Sequence, residues 1–392
     1  MLLDNAFESD SRVSKEITQL REHGFEVVLI CISDDGLPSS EVLVELRVYR
    51  WIESIYLRPF HTRFRGKIKK LASQILGLKF DILHCHDMFL LPVAKEILKT
   101  RKDVHFIYDS HEYFRGLNYN KSSTSIINSI KGFLVWKYFL KIEKSMARRA
   151  VAVICTSEAI SAKLQRDFEL RRVPITVRNI PAKDFFSNSS HESMDIYIKC
   201  DIPRNHIVMV QSGNVYQSWD DLIRTFNVVT SIPNLHFVLI NNKKIAKKIE
   251  DSIQQNNIWK NRIHVIDYNS ATLYDLLSSA DFGLVHVLGT RWLSQYLTSP
   301  NRTFEYTLSG IPFVSNPQDT SEFMGREFGH VVMFKDLDDM RIALSEIMKS
   351  LVQFKSKAKK ASKAFLWENE FKPIVDLYKE ISKQSIIQND SK

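Results

Sequence analysis

Short runs of valine, isoleucine and leucine alternate with amphipathic stretches along the whole chain. The stretch 12–24 has helical periodicity and ends at Gly24, and the apolar run 25–32 that follows predicts a buried strand. The N-terminal half repeats this alternation, with further strands predicted at 80–87, 104–112 and 150–157 and helices near 88–99 and 122–149. Continuous apolar strands separated by helices predict a parallel sheet covered on both faces.

The alternation pauses over 178–205, where the sequence is polar, contains two prolines and lacks periodicity. We interpret this segment as an interdomain linker with its flanks. The alternation then restarts, with strands predicted at 206–214, 235–242, 262–266, 281–287, 311–315 and 330–334. The chain is therefore predicted to hold two doubly wound, Rossmann-like α/β domains, 1–180 and 181–365. Such domains place their ligands at the carboxyl ends of strands, and we expect those ends to face a cleft.

The composition excludes several classes of protein. The chain has 392 residues, 44% hydrophobic and 25% charged, with 12 Gly and 11 Pro, so a disordered or low-complexity chain is excluded. Its four cysteines are scattered without a CxxC pair, which disfavours a disulfide scaffold or a cysteine zinc site and fits a reducing cytoplasm. No apolar run reaches about 18 residues, and acidic residues interrupt the N-terminus, so neither a transmembrane helix nor a signal peptide is predicted.

The strongest candidate for chemistry is the stretch SPNRTFEYTLSGIPFVS, residues 299–315. Pro300 suits a helix start, Gly310 suits a helix end, and a buried strand follows. A helix N-terminus offers free N–H groups and a positive dipole to an anion such as phosphate. Arg302 in the first turn can add a charge-assisted hydrogen bond. Glu305, one turn later, can accept hydrogen bonds from sugar hydroxyls, or it can pair with a nearby cation.

This helix and the Gly-Ile-Pro strand after it resemble the nucleotide-sugar site of the family 4 retaining glycosyltransferases. Further stretches resemble this family's landmarks in the same order: DSRVSKEITQLREHGFEV (10–27), FDILHCHD (80–87), IYDSHEYF (107–114), ICTSEAISAKL (154–164), VRNIP (177–181), VQSGNVYQSWDDLIRTF (210–226) and FLWENEFKPIVDLYKEI (365–381). The resemblance implies the GT-B fold, in which two Rossmann-like domains face each other across a cleft. It also implies that the closing helix, 366–392, crosses back onto the N-terminal domain.

The resemblance also implies residues that bind the donor. Glu305 matches the glutamate that holds the donor ribose, and Arg302 matches the cation that faces the diphosphate. The remaining donor-binding residues implied are the glycine-loop residues Gly213 and Asn214, the helix residue Asn301, and the further cation Arg291.

On the acceptor side, the resemblance implies that His111 lies near the reacting sugar with Glu112 beside it, and both are predicted to be catalytic. His111 follows a predicted strand, where it could hydrogen-bond the donor sugar or orient the acceptor. From the residues alone, a structural histidine that bonds a loop explains this position as well.

His84, His86 and Asp87 stand at another predicted strand end, in the run HCHD. Histidine and carboxylate are common metal ligands. In a strand, however, the two histidines share one face only two residues apart, and no cluster elsewhere in the sequence completes a site. We therefore predict no metal site and place these three residues at the acceptor pocket. As in the family, catalysis is expected to need no metal and no cofactor, since the nucleotide sugar is a substrate.

Two departures from the family pattern concern the donor site. Many members have a second glutamate eight residues before the one matched by Glu305, and Leu297 stands at that position here. Many members also clamp the diphosphate with an arginine and a lysine after the glycine loop, whereas this chain has no cation there until Arg224. These differences indicate either a divergent donor site or an impaired one.

The formal net charge of +9 is concentrated in one part of the chain, since residues 58–149 hold 19 Lys and Arg against 7 Asp and Glu. Two stretches in this part, 61–80 and 127–150, mix cations with aromatic and aliphatic side chains. Both read as amphipathic helices that could lie on an anionic membrane surface, or that could pack on the sheet with a solvated cationic face. No nucleic-acid-binding motif is visible, so no nucleic-acid partner is predicted.

The resemblance and the cationic stretches together imply a cytoplasmic enzyme, peripheral on the inner membrane face. It would move a sugar, with retention, from a nucleoside-diphosphate sugar to a lipid-linked or polysaccharide acceptor. Two alternatives stay open. A UDP-sugar epimerase of the same fold would need a richer set of acid–base residues and would release a soluble product. A non-catalytic partner or scaffold subunit would account for the missing glutamate and clamp cations.

Overall fold

The computed structural model describes the chain except for residues 8–9, 34–36, 44–45, 53–62, 117–125, 188–193, 214, 216–217, 242, 268–271, 288–292 and 391–392. Its internal contacts divide the chain into two compact units. Unit 1 comprises Met1–Arg178 together with Phe371–Lys392, and unit 2 comprises Asn179–Glu370. Both units are α/β structures built mainly on parallel strands, as the sequence predicts.

The strands of unit 1 form two hydrogen-bonded sets. β1 (Val28–Ile32), β2 (Ser40–Leu43) and β3 (Leu46–Ile52) pair in the order β1-β3-β2, with β1 and β3 parallel and β2 and β3 antiparallel. β4 (Ile82–His86), β5 (His105–Ser110), β6 (Ala152–Cys155) and β7 (Ile175–Thr176) pair in that order, and all are parallel. Leu2 bridges to Ile30 on one side and to Cys85 on the other, so the first residues lie between β1 and β4 and join the two sets.

The helices of unit 1 are α1 (Ser11–Glu22), α2 (Phe64–Leu76), α3 (Leu91–Thr100), α4 (Ile126–Ala147), α5 (Glu158–Phe168) and, from Phe371 onward, α16 (Trp367–Asp390). α1 begins where the Asp10 side chain accepts a hydrogen bond from the backbone N–H of Val13 at 3.0 Å, which is a cap encoded locally in the sequence. The buried residues of α1 include the charged side chains of Arg12 and Glu16, which therefore need partners inside the unit.

The strands of unit 2 form one sheet in which all pairs are parallel, in the order β10-β9-β8-β11-β12-β13. Their bounds are β8 (Ile207–Ser212), β9 (Leu235–Asn241), β10 (Ile263–Asp267), β11 (Phe282–Val285), β12 (Phe313–Ser315) and β13 (Val331–Met333). The chain builds the sheet outward from β8 in one direction and then outward from β11 in the other. The order therefore reverses between β8 and β11, and open α/β sheets bind ligands beyond the carboxyl ends of strands at such a point.

The helices of unit 2 are α6 (Asp184–Ser187), α7 (Ile196–Lys199), α8 (Trp219–Thr230), α9 (Lys243–Gln254), α10 (Leu273–Ser279), α11 (Leu293–Leu297), α12 (Asn301–Leu308), α13 (Asp319–Phe328), α14 (Leu337–Lys349) and α15 (Leu351–Ala361). Successive residues of β9 belong to two different apolar clusters, with Phe237 and Leu239 in one and Val238 and Ile240 in the other. Both faces of this sheet are therefore covered, which explains why its strands have continuous apolar sequences.

The predicted strands are confirmed with bounds that differ by at most three residues at either end, whereas the sequence analysis missed β2, β3 and β7. In β3, buried residues alternate with more exposed ones, starting from Leu46. This period of two is the signal of a half-buried strand, which a search for continuous apolar runs does not detect. In the described part of the chain, no helix is both long enough and apolar enough to span a membrane.

Candidate functional site

The carboxyl end of β8 and the start of α12 meet at the reversal point of unit 2. β8 ends at Ser212, and Gly213 follows with φ +72°, a left-handed conformation that favours glycine. A Cβ added to Gly213 would lie 3.7 Å from Nη2 of Arg302, so the guanidinium group lies directly beside this turn. The structure thus brings together the glycine turn and the arginine that the sequence analysis assigned to a phosphate.

Glu305 is held at the same point. Its Oε2 accepts a hydrogen bond from the Ser212 hydroxyl at 2.9 Å, so the carboxylate is fixed against the end of β8. Arg302 is buried within the first turn of α12, and Glu305 is half-buried one turn later. Beside the glycine turn, a cation and a carboxylate therefore lie on one short helix, and such a pair can bind a phosphate and hydroxyl groups.

Tyr306 fixes α12 against the sheet. Its fully buried hydroxyl accepts a hydrogen bond from the Ser212 backbone N–H at 3.0 Å. The same hydroxyl lies within donating distance, 3.2 Å, of the carbonyl oxygen of Leu284. The ring lies over Gly283 of β11, where an added Cβ would be only 2.3 Å from Cδ2 of Tyr306. Glycine at position 283 is thus what lets the tyrosine, and with it the neighbouring Glu305, approach the strand.

His286 is a residue of this site that sequence reasoning missed. It follows β11 directly, its side chain is buried, and its Nδ1 has no hydrogen-bond partner among the described residues. Burial, with a smaller contribution from the charge of Arg302, lowers the pKa of His286 to about 4. The imidazole is therefore neutral at physiological pH. Its only signal in the sequence is a lone histidine at the end of an apolar strand.

The other predicted donor-binding residues have different outcomes. Asn301 accepts a hydrogen bond from the Asn179 side chain at 2.5 Å. Asn214 and Arg291 lie outside the described residues. Leu297, which stands where many family members have a glutamate, is buried with 3% of its surface exposed, so an apolar side chain fills that position.

His111 lies at the end of β5 in unit 1, between two carboxylates. Its Nδ1 is 3.3 Å from Oδ2 of Asp87, and its Nε2 is 3.3 Å from Oδ2 of Asp109. Burial disfavours a charge on His111, but the two aspartates outweigh it and hold the pKa of His111 well above its ordinary value. The ring is therefore an imidazolium at neutral pH, with a carboxylate beside each nitrogen.

Asp87 also binds the backbone of His111. Its Oδ1 accepts the backbone N–H of His111 at 3.0 Å, while its own backbone has φ +57°, which is uncommon for a residue with a side chain. Glu112 follows His111 and is half-buried. Burial, reinforced by the charge of Asp87, raises the pKa of Glu112 to about 7, so this carboxyl group can both take up and release a proton near neutral pH.

A buried arginine, Arg12, contacts Asp109, one of the two carboxylates beside His111. Arg12 of α1 pairs with Oδ2 of Asp109 at 3.1 Å and with Oε1 of Glu16 at 3.0 Å, and all three side chains are buried. Burial alone would raise the pKa of Asp109, but Arg12 and His111 hold it well below its ordinary value. Asp109 is therefore ionised and shared between two cations, which fixes the position of His111 relative to α1.

His84 and His86 are buried inside unit 1 and do not line an open pocket. Their rings stack with centroids 4.4 Å apart, as expected for one face of a strand, and they are 1% and 0% exposed. Nδ1 of His84 lies 2.7 Å from the Tyr378 hydroxyl, and Nδ1 of His86 lies 3.3 Å from Nε2 of His111. The two histidines therefore contact α16 and His111 and are not open to an acceptor.

The expectation that nothing completes a metal-ligand set around HCHD is wrong. Glu16, His84, His86 and Asp109 each offer a ligand atom, and these atoms all lie within 4.8 Å of one another. Glu16 comes from α1 and Asp109 from β5, so only the folded chain brings the set together. Both carboxylates are already paired with Arg12, whose positive charge opposes a second cation at this position.

A second buried carboxylate that sequence reasoning missed is Glu143 of α4. Its Oε1 accepts a hydrogen bond from the Tyr108 hydroxyl at 2.9 Å, and Tyr108 Oη lies 3.2 Å from the hydroxyl of Ser110. Ser110 in turn donates to the carbonyl oxygen of Glu112 at 2.9 Å. This chain of contacts links α4 to the loop that carries His111.

Comparison with known proteins shows what part of the chain resembles. Residues 12–178 match the sequence profile of Glycosyltransferase Family 4. That segment, which makes up most of unit 1, therefore has the sequence of this family. The matched segment includes Arg12, His86, Asp109 and His111, so the ionic network of unit 1 lies within the family's own region. No protein among the curated ones matches the chain.

Solved structures support the same fold over nearly the whole chain. Sucrose-phosphate synthase from Thermosynechococcus elongatus superposes with a TM-score of 0.71 at 14% identity, covering 95% of this chain and 93% of that one. A glycosyltransferase from Rickettsia africae gives 0.69 at 12% identity, covering 97% and 98%. HepE from Anabaena, solved in complex with UDP and glucose, gives 0.67 at 12% identity, covering 97% and 98%. The chain therefore has the GT-B fold, as predicted.

Proposed function

We propose that this glycosyltransferase takes a sugar from a nucleoside-diphosphate donor bound at the reversal point of unit 2. The observation that carries the proposal is the cluster of Gly213, Arg302 and the Glu305–Ser212 pair at the carboxyl ends of β8 and β11. In this proposal Glu305 accepts hydrogen bonds from the ribose hydroxyls. Arg302 and the backbone at the glycine turn receive the diphosphate. HepE, whose structure holds UDP and glucose, supports a donor of this class.

Neutralisation of the diphosphate rests on few side chains. Arg224, the first cation after the glycine turn, is exposed and lies 3.3 Å from Asp338, so it does not replace the missing clamp. In the proposal, Arg302, the N-terminus of α12 and Asn301 bind the diphosphate, and Asn214 and Arg291 are further candidates. The neutral His286 is positioned to donate or accept a hydrogen bond beside Arg302 without adding charge. We expect a divergent donor site that still functions.

His111 and Glu112 are proposed to have different tasks in catalysis. The imidazolium of His111 has a carboxylate beside each nitrogen, so it is poorly suited to take up a proton. We propose that it contributes a fixed positive charge that favours departure of the negatively charged diphosphate. Glu112, with its pKa near neutrality, is the better group to move a proton of the acceptor. Asp87, His84 and His86 position His111, and the reaction is expected to need neither a metal nor a cofactor.

The acceptor is proposed to be a lipid-linked or polysaccharide glycan at the inner face of the membrane, and the sugar is transferred with retention. The cationic stretches 61–80 and 127–150 support a membrane partner, because anionic headgroups attract clustered lysine and arginine. The protein would then work in the cytoplasm as a peripheral membrane enzyme.

A panel of UDP-, GDP-, dTDP- and ADP-sugars tests this function. Purified protein is incubated with each donor, release of nucleotide is measured, and the released sugar is identified. We expect the wild type to hydrolyse one donor slowly. Glu305→Ala is expected to lose this hydrolysis, and the exposed control Glu327→Ala is expected to keep it. Turnover into an epimeric nucleotide sugar would support the epimerase instead. Donor binding without any turnover, unchanged in His111→Ala, would support a non-catalytic partner subunit.

A further inference from the structure

The two cationic helices of unit 1 differ in what they leave exposed. In α2 the buried residues are Phe64, Ile68, Leu71, Ala72 and Ile75, and no large apolar side chain of this helix is exposed. α4 also buries an apolar face, which includes Trp136, Phe139, Ile142 and Met146. Yet α4 exposes Ile130 by 56%, Phe133 by 44% and Leu134 by 49%. α4 therefore has a second apolar surface that packing within the unit does not use.

This second surface continues into a cationic groove. The spacing of Ile130, Leu134, Lys137, Lys141, Lys144 and Arg148 alternates between four and three residues, so these side chains lie along one face of α4 and its C-terminal turn. Nζ of Lys137 lies 4.5 Å from the centre of the Phe133 ring, which joins the apolar end to the cationic end. We call the whole row, with Phe133, the α4 stripe.

Among the described residues, every charged side chain that lines the groove beside the α4 stripe is a cation. It has a volume of about 700 Å³ and is lined by Arg115, Lys137, Leu140, Lys141, Lys144, Ser145 and Arg148. Lys144 and Arg148 pair with Glu169 at its edge. In the part of the chain that the structure describes, neither Lys137 nor Lys141 forms an ion pair with a carboxylate. The groove therefore offers uncompensated positive charge next to exposed aromatic and aliphatic side chains.

We propose that the α4 stripe, and not α2, is the face that docks on an anionic phospholipid bilayer. Lys137, Lys141 and the groove would receive the phosphates of the headgroups, while Ile130, Phe133 and Leu134 enter the interface between headgroups and acyl chains. A bilayer fits better than a soluble anion, because a soluble anion would leave the three apolar side chains in water. This inference rests on the proposed function, which places the acceptor at a membrane, and it names the surface that reaches it.

Vesicle co-sedimentation tests the assignment with a matched pair of variants. The full chain is mixed with phosphatidylcholine vesicles and with vesicles that contain phosphatidylglycerol. We expect binding to the anionic vesicles that weakens as salt is raised. Lys137→Glu with Lys141→Glu is expected to weaken it at least about tenfold, since each juxtamembrane cation contributes to attraction by an anionic surface. Arg65→Glu with Lys69→Glu makes the same change of charge on exposed positions of α2 and is expected to weaken binding less than about threefold.

A third variant separates the apolar contribution. Phe133→Ser with Leu134→Ser alters only exposed side chains, so the fold is expected to persist, and circular dichroism checks it. Weaker vesicle binding at unchanged charge is expected. Equal losses in the α2 and α4 charge variants, or no preference for anionic vesicles, would overturn the assignment. Displacement of the protein from vesicles by millimolar inorganic phosphate at constant ionic strength would also overturn it, because the groove would then bind soluble phosphate. Donor hydrolysis, measured on the same samples without vesicles, shows separately whether the proposed function fails.

Discussion

The hydroxyl of Ser212 donates a hydrogen bond to the carboxylate of Glu305 at 2.9 Å, and this contact ties the end of β8 to α12. Serine at the strand end and glutamate on the helix are 93 residues apart in sequence. Because Ser212 holds Glu305 in place beside the glycine turn, the carboxylate is orientated before a ligand arrives. The proposed recognition of the donor therefore depends on both residues.

Ser212→Ala removes the hydroxyl group that donates a hydrogen bond to Glu305 and orientates its carboxylate. We expect the affinity for the preferred nucleoside diphosphate to fall about tenfold, since a hydrogen bond to a charged group contributes about 1.5–3 kcal/mol. Isothermal titration calorimetry measures the change, with Ser345→Ala, at a half-buried position of α14, as the control that keeps the wild-type affinity. An unchanged affinity in Ser212→Ala would show that the Glu305 carboxylate does not need this contact.

Gly283→Ala tests whether close packing of Tyr306 on β11 positions α12. An added methyl group would meet the tyrosine ring at 2.3 Å. We expect the free energy of unfolding to fall by about 1–3 kcal/mol, as overpacking of a core does. Urea unfolding followed by circular dichroism measures it. Gly66→Ala on α2, where an added Cβ meets no atom within 4 Å, is the matched control and is expected to stabilise the protein by about 0.5–1 kcal/mol. Equal effects at both glycines would contradict the packing account.

Most strands of this fold could be predicted from the sequence because they are buried on both faces. Sheets covered on both faces require continuous apolar runs, so strands such as β9 were visible in the sequence. β3 alternates because its two faces differ in burial, and the contacts that create that difference are tertiary. The glycine turn and α12 were predictable because they are local motifs. The ionic network around His111 was not, because Arg12 and Asp109 are 97 residues apart and nothing local indicates that they pair.

Asp109→Asn and Asp87→Asn test the charge on His111. The pKa of His111 in the fold is above its unfolded value, so the interaction stabilises the protein fully below the unfolded pKa and is lost as pH rises through the folded pKa. Each substitution removes one carboxylate and is expected to lower the pKa of His111. Nuclear magnetic resonance titration of the imidazole measures this change. Asp87→Asn keeps the test valid if loss of the Arg12 partner prevents folding of Asp109→Asn. A histidine that titrates near its ordinary pKa in the wild type would contradict the imidazolium.

Glu143→Gln tests the buried carboxyl group on α4. Burial raises the pKa of Glu143 to about 8. The unfolded chain ionises this group at lower pH than the folded chain does, so stability is present below the unfolded pKa and falls as pH rises towards 8. We expect Glu143→Gln to lose less stability than the wild type between pH 5 and pH 8, because the amide keeps the shape without ionising. Urea unfolding at both pH values measures this, and the exposed Glu346→Gln should behave as the wild type does. A parallel loss in Glu143→Gln would show that Glu143 does not titrate in this range.

The binding of nucleoside diphosphates by the isolated protein tests the central claim most directly. UDP, GDP, dTDP, ADP and CDP are titrated by calorimetry into the wild type, Glu305→Ala and the exposed control Glu327→Ala. The account predicts that at least one of them binds the wild type, that Glu305→Ala weakens this binding at least about tenfold through the loss of charged hydrogen bonds, and that Glu327→Ala leaves it within about twofold. Absence of binding for all five, or equal affinities in the wild type and Glu305→Ala, would contradict it.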